Sequence, residues 1–235
     1  MALLKCESLT KVYVQGEDSI YAANNVNMTV NAGDFAVITG KSGSGKSTVL
    51  NLCAGMLKPT GGRVLFDGED ITLWDYDRLA RYHREQTGMI FQSFDLLQIM
   101  TVRENIMLPA ILSNRTPDKR HFEELTETLG LTERLDHFPS ELSGGQIQRV
   151  AIARALINYP KMIFADEPTG NLDSANAGEI IDLLLKINSG GTAVMLITHD
   201  GTIKERITKE ASSPLSYRIE NGSLKKEERA DTLSN

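Results

Sequence analysis

Eight residues constrain this chain more than any other feature: Gly40-Lys41-Ser42-Gly43-Ser44-Gly45-Lys46-Ser47, matching G-x-x-x-x-G-K-[ST]. They stand between an apolar run, Phe35-Ala36-Val37-Ile38, and a stretch from Ser47 to Met56 with helical spacing at Val49, Leu50, Leu52, Cys53 and Met56. Strand, glycine loop and helix in this order make a phosphate-gripping loop. Glycines let backbone N–H groups approach phosphate oxygens, and the helix points its positive end at the anion. Lys46 suits the β- and γ-phosphates, and the Ser47 hydroxyl suits a Mg²⁺ shell. The bland alternative is a glycine-rich turn feeding a helix. The pattern arises by chance in about one chain in a hundred of this size, so the flanking strand and helix decide for the phosphate loop. Kinases, GTPases and transport ATPases share it.

Length and composition narrow the setting. A chain of 235 residues with 41% apolar content makes one large domain or a core with an inserted subdomain. Its net charge of -6 argues against a nucleic-acid coat, which carries a basic surplus. No apolar run approaches the roughly 20 residues needed to span a bilayer. The first ten residues lack the basic start and apolar centre of a secretory signal, so a cytosolic location is expected. Cys6 and Cys53 are far apart in sequence and fit neither a disulfide framework nor a metal knuckle; both read as reduced, buried small hydrophobes.

The first third alternates like strands: Tyr21, Ala23, Val26, Met28 and Val30 lead into a turn at Asn31-Ala32-Gly33. Arg63 to Phe66 reads as a strand, Asp67-Gly68 as a turn, Trp74 to Gln86 as a helix and Met89-Ile90-Phe91 as a buried strand. From Thr101 to about Asn158 the pattern is helical. Thr101 with Glu104 makes a capping box, Pro117 opens a second helix and Gly144 a third. Buried strands at Met162 to Ala165 and Ala193 to Ile197 flank a helix from Ser174 to Asn188. The expected fold is a parallel α/β core interrupted by a helical insertion, with a polar, loosely ordered tail over 225–235.

Two further segments carry chemistry. Met162-Ile163-Phe164-Ala165-Asp166-Glu167 is an apolar strand ending in two carboxylates that point to opposite sides. Asp166 suits the outer shell of Mg²⁺, and Glu167 suits polarising the water that attacks the γ-phosphate. Alone, Asp-Glu before Pro168 also fits a simple turn. In Leu142-Ser143-Gly144-Gly145-Gln146, Ser143 caps a helix whose Ile147, Val150, Ala151 and Leu156 pack inward. That helix start, with bare glycine amides, is a second anion-seeking element.

With these residues the chain resembles the ATP-binding-cassette family from about Leu3 to Leu224. Gly40 to Thr48 resembles its Walker A loop, Asp166-Glu167 the end of its Walker B strand, and Leu142 to Gln146 its signature. Gln92 matches the Q-loop, Gly170-Asn171-Leu172-Asp173 the D-loop, and Thr198-His199-Asp200 the switch-histidine loop, all in the family's order. Tyr13 stands where the family stacks an aromatic on adenine; ordinary packing is the other reading of such a residue.

The resemblance implies a P-loop NTPase (RecA-like) core with an N-terminal antiparallel β subdomain and an inserted helical subdomain. One ABC ATPase domain would cover 1–224, with core 1–92 and 159–224 and helical subdomain about 93–158. It implies ATP and Mg²⁺ as cofactors. ATP would lie on Tyr13, on Gly40, Lys41, Ser42, Gly43, Ser44, Gly45, Lys46, Ser47 and Thr48, and on Ser143, Gly144, Gly145 and Gln146 of an opposing subunit. Mg²⁺ would take Ser47, Gln92 and Asp166, with Lys46, Glu167 and His199 catalytic. Alone, Gln92 also reads as a polar strand terminus and His199 as a capping residue. His83, His121 and His137 read as surface residues.

By the same resemblance two cassettes pair head to tail, as a homodimer or with a related cassette. A transmembrane permease of FtsX- or MacB-like kind would insert its coupling helix around Phe94 to Asn114 and hold the cassette on the inner face of the plasma membrane. The stretches Phe91 to Leu97, Thr101 to Ile106 and Ala165 to Ser174 are similar to the branch of lipoprotein-releasing, macrolide-exporting, peptide-antibiotic-resistance and cell-division cassettes. Two departures stand out. Ile147 occupies a position that is often Gln or Met, and Lys209 to Pro214 interrupts a segment where a helix and a tidy strand are usual. Competing readings are a soluble ABC ATPase acting on DNA or ribosomes and a small-molecule kinase. The first lacks its long coiled coil or tandem cassette, and the second has no use for a signature or His199.

Overall fold

The computed structural model describes residues 2–16, 18–116 and 118–227. In chain order its elements are β1 (Ala2–Gln15), β2 (Asp18–Asn31), β3 (Phe35–Thr39), α1 (Lys46–Cys53), β4 (Gly61–Phe66), β5 (Glu69–Asp70), α2 (Tyr76–Glu85), β6 (Thr87–Ile90) and α3 (Val102–Leu112). There follow α4 (Lys119–Thr128), α5 (Gly144–Leu156), β7 (Met162–Asp166), α6 (Ser174–Ser189), β8 (Ala193–Thr198), α7 (Gly201–Glu210), β9 (Pro214–Glu220) and β10 (Ser223–Glu227). The chain forms two compact units, one from 1–74 with 187–235 and one from 75–186.

In the first unit, β2, β1, β4 and β5 form an antiparallel sheet in that order. The turn Asp67-Gly68 joins β4 to β5 with both residues at positive φ (52° and 85°), the two-residue hairpin geometry that matches strand twist. In a second sheet β3 pairs in parallel with β8 on one side and β9 on the other, and β10 pairs antiparallel with β9. All five residues of β3 and all six of β8 are buried. Such continuous apolar runs are what a parallel strand covered on both faces requires. Burial of each large side chain, such as Phe35 or Ile38, contributes about 1.5–3 kcal/mol.

Cys6 and Cys53 are reduced and buried as expected; 47 residues apart in sequence, they meet in the core with their sulfurs 3.4 Å from each other. Both are free thiols, and the hydrogen bond to Cys6, together with burial, pushes the Cys53 thiol well above its usual range. The stretch from Lys209 to Pro214 does not break the pattern: α7 runs to Glu210 and β9 starts at Pro214. Pro214 fits because it is the first residue of its strand, and the β3 residue Phe35 bonds instead to Ser213 O. The polar tail is ordered to Glu227, since Lys225 to Glu227 complete β10. Glu227 binds Lys204, Arg218 and Ser216. The rest of that tail lies outside the described residues, as does Pro117; the observed cap of α4 is Asp118. Met56, placed by spacing on the inner face of α1, is 50% exposed beyond the helix end.

In the second unit, β6 pairs in parallel with β7. Thr101 and Glu104 form the expected capping box at α3. Asn105 is fully buried, and its side chain bonds Leu97 N–H and the carbonyls of Leu97, Met100 and Thr101. It thereby shapes the loop ahead of its own helix. Arg154 of α5 donates to the carbonyls of Phe94 and Asp95, two consecutive residues at positive φ. His121 is half-buried rather than superficial: its ring stacks on Tyr159 at 3.8 Å between centroids.

Candidate active site

The phosphate loop follows directly from β3. Gly43 and Gly45 have φ of 75° and 105°, conformations that side-chain-bearing residues rarely adopt. Gly45 also caps α1, and a Cβ there would lie 2.0 Å from Ala22 O. A Cβ on Gly40 would lie 2.5 Å from Ile219 O, so the loop sits directly on β2 and β9. The β9–β10 turn buttresses it, with Gly222 N–H donating to Ser44 O at 3.1 Å. Lys46 is 7% exposed and donates through Nζ to Gly40 O at 3.0 Å and Lys41 O at 3.1 Å. An ammonium held over this ring of amides is placed for an anion.

An open cavity of about 880 Å³ lies on this loop, lined by its residues 40–44 and also by His199, Lys204 and Arg218. His199 follows β8 and is exposed; its neighbour Asp200 caps α7 by accepting from Thr202 N–H. Hydrogen bonds from Thr202 hold the Asp200 carboxyl below its usual range. The first unit therefore brings the phosphate loop and His199 to one cavity. Tyr13, on β1, is 44% exposed, with the Lys11 ammonium 5.4 Å from its ring centre. It is not among the cavity's lining residues.

The second unit assembles the remaining elements. β7 is buried along its length up to Asp166, and Glu167 turns out of it with φ of 46°. Gly170 N–H closes that turn on Glu167 O at 3.0 Å. Gln92, exposed after β6, is tied to the same turn: its carbonyl accepts from Asn171 Nδ2 at 2.8 Å, and a Cβ on Gly170 would lie 2.7 Å from its Nε2. Ser143 caps α5 in a capping box, its N–H donating to Gln146 Oε1 at 2.9 Å. Gly145 is buried, and a Cβ there would lie 2.4 Å from Asn176 Oδ1. Asn176 in turn bonds Asp173, and its backbone N–H foremost holds that carboxyl below its usual range.

The residues that sequence reasoning passed over are the supports: Asn176, Arg154, Asn105 and Gln148. Only their polarity on otherwise apolar helix faces signals them. Among the described residues no group of three or more His, Cys, Asp or Glu side chains gathers as a metal cage.

This arrangement, a P-loop with a separate glycine-opened helix start, defines a nucleotide-hydrolysing cassette. The ABC transporter family profile matches residues 23–170, and the chain belongs to that family as an ATP-binding, ATP-hydrolysing cassette. Within the family it is similar to the macrolide export ATP-binding/permease protein MacB of Marinobacter nauticus, at 44% identity over 200 residues. That match covers 84% of this chain and 31% of MacB, so the chain spans about a third of that relative's length. It is also 38% identical over 230 residues to LolD, the lipoprotein-releasing system ATP-binding protein of Idiomarina loihiensis, covering 97% and 98% of the two chains. Among solved structures, the dimeric structure of MJ0796, a bacterial ABC transporter cassette, matches with a TM-score of 0.85 at 38% identity over 96% of this chain and 98% of that one. A post-hydrolysis dimer of the same cassette, bound to ADP and Pi, matches with the same score at 37% identity. The α/β P-loop cassette expected from sequence is the fold of these structures.

Proposed function

We propose that two copies of this chain close head to tail on ATP and drive a membrane permease of the macrolide-export or lipoprotein-release kind. The observation that carries this reading is the capped, glycine-opened start of α5 on a chain that also holds a complete phosphate loop. Each element is an anion site, and one nucleotide held between two copies uses both. The dimeric MJ0796 cassette supports the pairing, MacB's being an ATP-binding/permease protein supports the permease, and LolD's being the ATP-binding protein of a lipoprotein-releasing system supports the kind of work.

In this reading Lys46 and the amides of 40–48 hold the phosphates, Tyr13 the adenine, and Ser143 to Gln146 cover the nucleotide of the opposing copy. Glu167 polarises the attacking water and His199 holds the γ-phosphate. A Mg²⁺ ion bound with ATP would supply neutralisation of the phosphate charge. Ser47 offers a hydroxyl, Gln92 an amide carbonyl and Asp166 a carboxylate, the oxygen donors that ion takes. The single cassette domain has its core at 1–92 and 159–224 and its helical part at about 93–158.

The permease docks on the loop and helix held by Asn105 and Arg154, where Leu97, Ile99, Ile111 and Leu112 are exposed, Ile99 at 86%. No helix among the described residues is long and apolar enough to cross a membrane. In this reading the permease holds the cassette on the inner membrane face.

The test is Glu167→Gln in the purified chain. ATP should still bind and should now trap a dimer in size-exclusion chromatography, while turnover falls by at least about 100-fold, the usual cost of losing a general base. Wild-type turnover would remove Glu167 from catalysis.

A further inference from the structure

Glu167 sits in a backbone conformation that needs support. Its φ of 46° lies in the left-handed region that residues with side chains rarely enter, and such a turn persists only where its surroundings over-determine it. Gly170 N–H supplies one restraint on Glu167 O. A further one comes from a distant helix: Gln148 Nε2, on α5, donates to Pro168 O at 2.8 Å in a buried contact. Gln148 is fully buried, and its Oε1 accepts no hydrogen bond from a described residue. A side chain kept only to fill that space would be apolar, because a buried amide with half its valence unused costs stability.

We infer that Gln148 is a positioning residue for Glu167, fixing from the signature helix the turn that aims the carboxylate. The inference rests on the reading of Glu167 as the group that polarises water. Catalytic groups must be held to within about 0.5 Å, and one hydrogen bond at the neighbouring carbonyl sets where the Glu167 Cα lies. Ser143, which the proposed function places on the nucleotide of the opposing copy, caps the same helix five residues earlier, about 7.5 Å along its axis at 1.5 Å per residue.

The experiment is Gln148→Met in the full chain, which keeps the volume and removes the donor. The expected result is a 10- to 100-fold loss of kcat, the scale of an ångström-sized misplacement. KM for ATP stays within about twofold, ATP still drives dimer formation, and Tm stays within about 3 °C, the scale of a sub-kcal change in a chain this long. A structural role alone would move Tm and leave kcat per folded molecule intact, and that result overturns the inference. If the Met variant does not fold, Gln148→Asn, which withdraws the amide by one methylene, should show the same selective loss of kcat. Unchanged kcat in a folded variant beside an inactive Glu167→Gln sinks the role of Gln148 alone. Full turnover in Glu167→Gln sinks the underlying reading and this inference together.

Discussion

The phosphate loop and the carboxylate turn are built by opposite means. The loop is held by backbone: glycines at positive φ, carbonyls of β2 and β9 within touching distance, and the Gly222 amide beneath Ser44. The turn at Glu167 to Asn171 closes on a backbone bond of its own, Gly170 N–H to Glu167 O, and is tied to its surroundings by amide side chains, Gln148 on Pro168 and Asn171 on Gln92. A backbone-built site is stiff and presents the same amides whatever surrounds it. A side-chain-built site depends on elements far away in sequence, so it responds when they shift. In a cassette that hydrolyses ATP, a stiff loop suits binding, and an adjustable turn suits the chemistry proposed for Glu167.

The largest effect that would break this contrast is expected from Gly45→Val. A β-branched side chain at φ of 105°, with its Cβ 2.0 Å from Ala22 O, should abolish ATP binding in a fluorescent-nucleotide titration. It should also cost at least about 3 kcal/mol of stability, from strain and displaced backbone together. Retained ATP affinity would show that the loop is not held by close backbone contact.

Asn105→Ala should cost less, about 1–3 kcal/mol in chemical denaturation, because the part-buried Leu97 N–H and Met100 O lose the side-chain partner they now have. ATP affinity should not change, since this support belongs to the side-chain-built half. A parallel loss of nucleotide binding would blur the division.

Glu227→Gln should have the smallest effect and should show it only as a function of pH. Burial raises the Glu227 carboxyl, but hydrogen bonds from Lys204, Arg218 and Ser216 outweigh it and hold the group at about 2 against an ordinary 4.5. The folded value lies below the unfolded one, so its contribution is present above about pH 4.5 and drains away as pH falls toward 2. The wild type should be the more stable protein at neutral pH, and the gap to the Gln variant should close in acid melts. A gap that persists below pH 2 would mean the three partners do not act through the ionised carboxylate.

What was legible in the sequence was whatever local chemistry dictates. The phosphate loop, the buried runs of β3, β7 and β8, the Asp67-Gly68 turn, the capping box at Thr101 and the helix cap at Ser143 each rest on residues within a few positions of one another. Periodicity, glycine φ and cap spacing are readable at that range. Where local signs misled, a neighbour from elsewhere had changed the outcome. Pro214 looked like an interruption until β3 gave it a strand edge to begin on, and Lys225 to Glu227 looked like a loose tail until Lys204 and Arg218 supplied countercharges.

By itself, then, the sequence determined the chemistry of this protein: a loop that binds phosphate, a strand that ends in two carboxylates and a helix start that seeks an anion. The tertiary structure alone decided how these are supported: Cys6 against Cys53, Gly222 beneath the phosphate loop, Gln148 behind Glu167. The reason is range. Residue type and spacing encode backbone conformation within a few residues, whereas which amide meets which carbonyl depends on how distant segments pack, and no local pattern records that.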